Sequence, residues 1–436
     1  MESQRRVRRD DSETGPSRTA GSAGAPRRIA RALHESDGFF FFLLVAYLFF
    51  EYGKPAQMLK IPMMISTLSF LGWLVRRDKR WGPQTTGFVA FLALMAIGIL
   101  LAVNNYWAFW TTYSMAIWLL CICAPLPSVL TSVRRIQVWI YMFVAVAVYV
   151  GGFAALHSGY GPSGAGGGQD ENYVATMMGM AVPFAYFSIF AEKRRVRKVL
   201  FAIAIPEFCV ALIVAENASR GGFLGLSAVL LYCVARSPRK WMAFAVVALV
   251  ALVLFGFAGQ KFWDEIVTIE DVHEGTADER LELWTIGMRM FVGHPIFGVG
   301  PGSYRWAIGE YQSLEQQAKY GRELAGTKVA HSLFVELLAE MGLTGAIVVA
   351  VLLWRTWRDL WPIARSHTGR RGVLAADGDS LQLARYADAV IGSILACLVN
   401  AAFLSLLYFS YLWVMLALAS AITQVSRARV AAQQTV

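Results

Sequence analysis

Apolar residues gather along this chain into long runs, and the intervals between them are mostly short, basic and marked by Gly or Pro. A helix rises about 1.5 Å per residue, so roughly 20 apolar residues cross about 30 Å of hydrocarbon. Read with a window of that size, the pattern predicts about twelve membrane-spanning helices, at 38–52, 56–75, 87–104, 105–124, 136–156, 172–191, 199–215, 221–235, 240–258, 331–354, 386–401 and 403–423. The first is short enough to resemble a secretory signal core. It is followed by Glu51, Tyr52, Gly53 and Lys54 rather than by small residues, and is read as a helix.

The expected organisation is therefore all-α and polytopic. A polar tail spans 1–37, nine helices occupy 38–258, a large exported loop covers 259–330, three helices fill 331–423, and a short tail runs over 424–436. The first tail is Arg-, Ser-, Gly- and Asp-rich with little apolar content, a composition expected to stay disordered. Within the large loop, Leu281, Trp284 and Met288 follow helical spacing, and 310–324 reads as a second amphipathic helix. Between them GHPIFGVGPGSY forces an irregular turn.

Composition agrees with the pattern. Of 436 residues, 56% are hydrophobic and only 16% charged, against about a quarter charged in a soluble domain. Mean hydropathy is +0.48. The formal charge of +10 does not point to nucleic acid, because 30 of the 40 Lys and Arg fall on the side of the membrane that holds both predicted tails. That asymmetry is the positive-inside rule and places both termini in the cytoplasm. The five cysteines, at 121, 123, 209, 233 and 397, all lie within predicted spans and read as packing residues.

Ionisable residues within or beside spans are candidates for function. Arg220 stands in ENASRGGFLGL at a predicted helix start, where amides favour an anion; the plainer alternative is a snorkelling side chain paired with Glu216. Arg280 opens the first helix of the large loop and, taken alone, reads equally as a surface arginine. His331 opens the tenth span, either as a cap or as a base whose ordinary pKa near 6.5 suits proton transfer. Glu336 and Glu340 follow on the same helix, turned about 140° and 180° from His331. They read as packing or paired acids. Arginines beside a base suit phosphate chemistry, since guanidinium binds phosphate oxygens bidentately and stays charged.

SRGGFLG (219–225), RLELW followed by GHPIFGVGPGSY (280–304), and HSLFVELLAEMGLTG (331–345) resemble, in that order, the signatures of the O-antigen ligase and polymerase superfamily. DENYVATMMGMAVP (170–183) is similar to the helix that precedes them, and the likeness covers about 165 to 350. The resemblance implies a GT-C-like, inverting, metal-independent glycosyltransferase of the bacterial inner membrane, with no cofactor and a periplasmic site. It would move a glycan from undecaprenyl diphosphate to an acceptor glycan or lipid A core. On this likeness Arg220 and Arg280 hold the donor diphosphate, with Arg305 a further phosphate candidate. His331 deprotonates or orients the acceptor hydroxyl. The rival from another class is a secondary transporter in which Glu207, Glu336 and Glu340 relay protons.

Overall fold

The computed structural model describes residues 38–55, 61–164, 169–213, 220–257, 275–320, 328–366 and 378–434. The tail 1–37, loop residues 259–274 and 321–327, and the side chain of Arg220 lie outside the described residues. Among those described, the secondary structure is helical with no strands. The first helices are α1 (Gly38–Gly53), α2 (Ile61–Val75), α3 (Pro83–Leu101) and α4 (Asn105–Ala116), the last continuing as a π-helical stretch over Ile117–Cys123. After the short α5 (Leu126–Val129) come α6 (Val133–Leu156), α7 (Glu171–Ala191), α8 (Arg195–Ile213), α9 (Arg220–Arg236) and α10 (Lys240–Phe257). The large loop contributes α11 (Gly275–Gly293), α12 (Tyr304–Tyr311) and α13 (Leu314–Tyr320), and the chain closes with α14 (Leu333–Arg365), α15 (Gly378–Ala401) and α16 (Ser410–Gln434).

Among the described residues, six segments are long and apolar enough to cross a membrane: Pro83–Leu101, Asn105–Val129, Val133–Leu156, Glu171–Ala191, Leu333–Arg365 and Gly378–Ala401. Shorter apolar helices cover Gly38–Gly53, Ile61–Val75, Gly221–Arg236 and Lys240–Leu252. This is the architecture of a polytopic membrane protein. Helices α7 and α6 begin where a short polar side chain satisfies their first amides. Asp170 accepts from Asn172 and Tyr173 at 3.1 and 3.0 Å, and Ser132 accepts from Arg135.

The centre of the bundle is α7, α15 and α16. From Val174 to Ser188 every residue of α7 is buried, and from Ser410 to Thr423 every residue of α16. Helix α15 packs on α7, α9, α14 and α16, and α14 lies along α3 and the loop helix α11. A buried ion pair, Arg236 to Asp388 at 2.8 Å, ties α9 to α15 near one end, where Arg236 also donates to the Ala364 carbonyl of α14.

Several elements differ from the sequence expectation. The span expected at 331–354 is a longer helix, interrupted at Gly342. The one expected at 403–423 begins only at Ser410, and 402–409 is non-helical. The segment read as a tail from 424 is helical to Gln434. The amphipathic helix expected over 310–324 is divided at Gln312 into α12 and α13. Hydropathy averages over a window, whereas these interruptions are decided by single backbone conformations and hydrogen bonds.

Candidate functional site

The glycine turn and the broken helix α14 explain one another. At Gly342 the backbone takes φ 60 and ψ −160, a region essentially confined to glycine. The kink leaves two carbonyls, Ala339 and Glu340, and two amides, Leu343 and Thr344, without the partners that i to i−4 bonding would supply. Turn 295–300 supplies all four. Val299 and Gly300 donate to the Ala339 and Glu340 carbonyls at 2.8 and 3.1 Å, and Leu343 and Thr344 donate to the Pro295 and Ile296 carbonyls at 2.8 and 3.2 Å. The approach is close enough that a Cβ on Gly298, itself at φ +69, would lie 2.3 Å from the Glu340 carbonyl carbon.

Glu340 completes the joint. Its carboxylate accepts from the amides of Gly302 at 2.6 Å and Tyr304 at 2.7 Å. These are the amides that open α12, so an acid from another helix caps it and meets the positive end of its dipole. The side chain read from sequence as a packing acid thus fixes the turn that carries Arg305.

Arg280 and His331 stand together although 51 positions separate them. Trp284 of α11 donates its indole N–H to the Ala330 carbonyl at 3.0 Å, and Lys328 pairs with Glu279 at 2.6 Å, so the start of α11 lies along the strand of chain entering α14. His331 is in the left-handed region at φ 46 and its ring is half-buried. Burial, then the charges of Arg280 and Lys328, push its pKa below the ordinary imidazole value, against a smaller opposing pull from Glu279. A lowered pKa favours the neutral, proton-accepting imidazole at neutral pH.

Arg305 belongs to a second group. Its guanidinium is exposed, with no ion pair among the described residues, and its charge reaches Glu336, Glu340 and Tyr173. Glu336 is buried, faced by the Leu407 amide and the Ser405 hydroxyl, and its Oε2 has no hydrogen-bond partner among the described residues. Tyr173 stacks on Phe409 at 4.5 Å. The non-helical segment 402–409 is therefore walled in by protein, the condition under which irregular backbone is tolerated in a span. Helix α9 begins beside it, since a Cβ on Gly221 would touch the Phe403 side chain at 3.2 Å.

Of the site residues expected from sequence, Arg280 and His331 lie near enough for the charge of one to act on the other. Arg305 sits with the acids of α14, and the backbone of Arg220 starts a helix against the same non-helical segment. The sequence reading missed Lys328, Tyr173, Ser405 and Tyr408, the last of these a neighbour of both Glu336 and Glu340. Two of these carried a signal, as Ser405 and Tyr408 interrupt an apolar run with hydroxyls close after Asn400.

Residues 205–350 match the family model for O-antigen ligase. That stretch contains Arg220, Arg280, Arg305 and His331, and the match supports the O-antigen ligase and polymerase superfamily. The chain matches none of the curated proteins.

Proposed function

We propose that this protein is a membrane glycosyltransferase that moves a glycan from undecaprenyl diphosphate to an acceptor sugar, as an O-antigen ligase or a surface-polysaccharide polymerase. The observation that carries this reading is the packing of the start of α11, which bears Arg280, along the residues that lead into half-buried His331, within the stretch that matches the O-antigen ligase family. The acceptor hydroxyl gives its proton to the imidazole as its oxygen attacks the anomeric carbon. The bond from that carbon to the phosphate oxygen breaks on the opposite face, which inverts the centre. The diphosphate leaves with the bonding pair, and its growing charge is met by the guanidinium groups of Arg280, Arg305 and Arg220. These fixed cations supply the charge a metal ion would otherwise bring. The acceptor is a glycan or a lipid A core.

The reading extends to topology. It takes a twelve-span, GT-C-like arrangement in the bacterial inner membrane, with both termini cytoplasmic and the turn at 295–304 on the periplasmic side, an orientation that the distribution of Lys and Arg supports.

In membranes supplied with lipid-linked glycan, His331→Ala, Arg220→Ala and Arg280→Ala are expected to lose product while accumulating normally. Arg280→Lys is expected to be nearly as poor, because an ammonium cannot reproduce the fork. Full product from His331→Ala would remove it as the base. Solute uptake by proteoliposomes free of glycolipid would assign the chain to transport instead.

A further inference from the structure

The end of the bundle opposite the glycine turn holds a cavity of about 700 Å³, within the range of small-molecule sites. Its wall carries four arginines: Arg134 at the start of α6, Arg194 before α8, Arg197 in α8 and Arg429 in α16. Two are neutralised locally, Arg197 by Glu192 at 3.0 Å and Arg429 by Asp379 at 3.0 Å. The guanidinium groups of Arg134 and Arg194 are exposed and have no acidic partner among the described residues. Asp379 is the one acid in the wall, so the cavity is net positive.

Its other lining explains which anion fits. Gln137 and Gln382 add side-chain amides, and α6 and α8 both direct their N-terminal ends toward it. Val425, Ala428 and Ala432 make an apolar strip along α16 beside the charges. A free inorganic anion has no use for that strip. A phospholipid does, because it brings a phosphate at headgroup depth and an apolar stem below it. Basic pockets between helix ends at a membrane surface have the chemistry for such headgroups. We propose that this cavity holds the phosphate headgroup of an anionic membrane lipid, with Arg134 and Arg194 as its principal contacts.

The test uses the full-length protein, stripped of lipid in neutral detergent and titrated with phosphatidylglycerol or phosphatidylcholine in mixed micelles. Retained lipid is counted by native mass spectrometry. The unmodified protein is expected to keep one phosphatidylglycerol in preference to phosphatidylcholine. Arg134→Gln with Arg194→Gln should weaken that retention about tenfold or more, given the strength of single basic contacts to anionic lipid. Arg134→Lys with Arg194→Lys should keep most of it, and Arg77→Gln with Arg80→Gln, outside the cavity, should leave it unchanged. Equal retention of the two lipids, or undiminished retention by the double Gln variant, would overturn the proposal. Inorganic diphosphate that binds lipid-free protein as tightly as phosphatidylglycerol does would assign the site to a soluble anion and overturn the lipid.

Discussion

Glu340 and Tyr304 are 36 residues apart in the chain, yet the carboxylate of the first accepts the backbone amide of the second at 2.7 Å. With Gly302 as its other donor, this acid holds closed the turn that presents Arg305. Hydrogen bonds to a charged group are worth about 1.5–3 kcal/mol each, and a donor left buried is expensive. Glu340→Ala is therefore expected to destabilise the protein by about 3 kcal/mol or more, and Glu340→Gln by less. Thermal unfolding of the detergent-purified variants measures the difference.

Gly342→Ala and Gly298→Ala should be worse than their size suggests. A Cβ at Gly342 would sit 2.5 Å from the Ile296 carbonyl oxygen, and both residues have positive φ. Neither neighbour is a flexible side chain that can swing away. Each variant is expected to lose the dock between turn and helix, seen as lowered accumulation in membranes and faster proteolysis within 295–304. Wild-type accumulation and activity of both would refute the coupling.

The polytopic helical character and the turn were legible in sequence for a plain reason. Long apolar runs and a Pro-Gly cluster are local signals. The break at Gly342 was not, because hydropathy does not register which amide finds which carbonyl. The same limit hid the role of Glu340, whose two donors lie in a loop that sequence places far away. Arg280 and His331 were legible as individual charges beside the membrane, but their meeting depends on Trp284 reaching Ala330. The surroundings of Glu336 showed in sequence only as two hydroxyls in an apolar run, since Ser405, Leu407 and Tyr408 lie in a segment whose composition otherwise reads as continuous helix.

Lys328 supplies a test of the imidazole that leaves the proposed donor contacts in place. His331 is depressed by burial and by two positive neighbours, Arg280 and Lys328, while Glu279 raises it. Lys328→Gln removes one of those positives and frees Glu279 from its ion pair, and both changes favour the imidazolium. The pKa therefore rises, and the acid limb of kcat/KM against pH should move to higher pH. The stability effect should be small, about 0–1 kcal/mol for a partly exposed pair. An unmoved limb in a well-folded variant would mean that the titration belongs to another group.

The Arg236–Asp388 pair gives a prediction about the core. Asp388 is fully buried and Arg236 nearly so, at 2.8 Å. Removing one partner from such a pair costs about 3–5 kcal/mol, whereas replacing both with apolar residues of similar volume is often neutral. Arg236→Gln should thus unfold at markedly lower temperature than the unmodified protein, and Arg236→Met with Asp388→Leu should recover most of the loss.

The exchange of partners at Gly342 redraws a boundary. By hydropathy the large loop ends at residue 330 and the next apolar helix starts at 331. By hydrogen bonding, 295–304 is an inserted wedge of the bundle, sharing a ladder with α14 and, through Val103 donating to the Val299 carbonyl at 3.0 Å, with the start of α4 as well. Arg305, the residue that follows the wedge, is accordingly anchored to the helices of the bundle rather than to the rest of the loop.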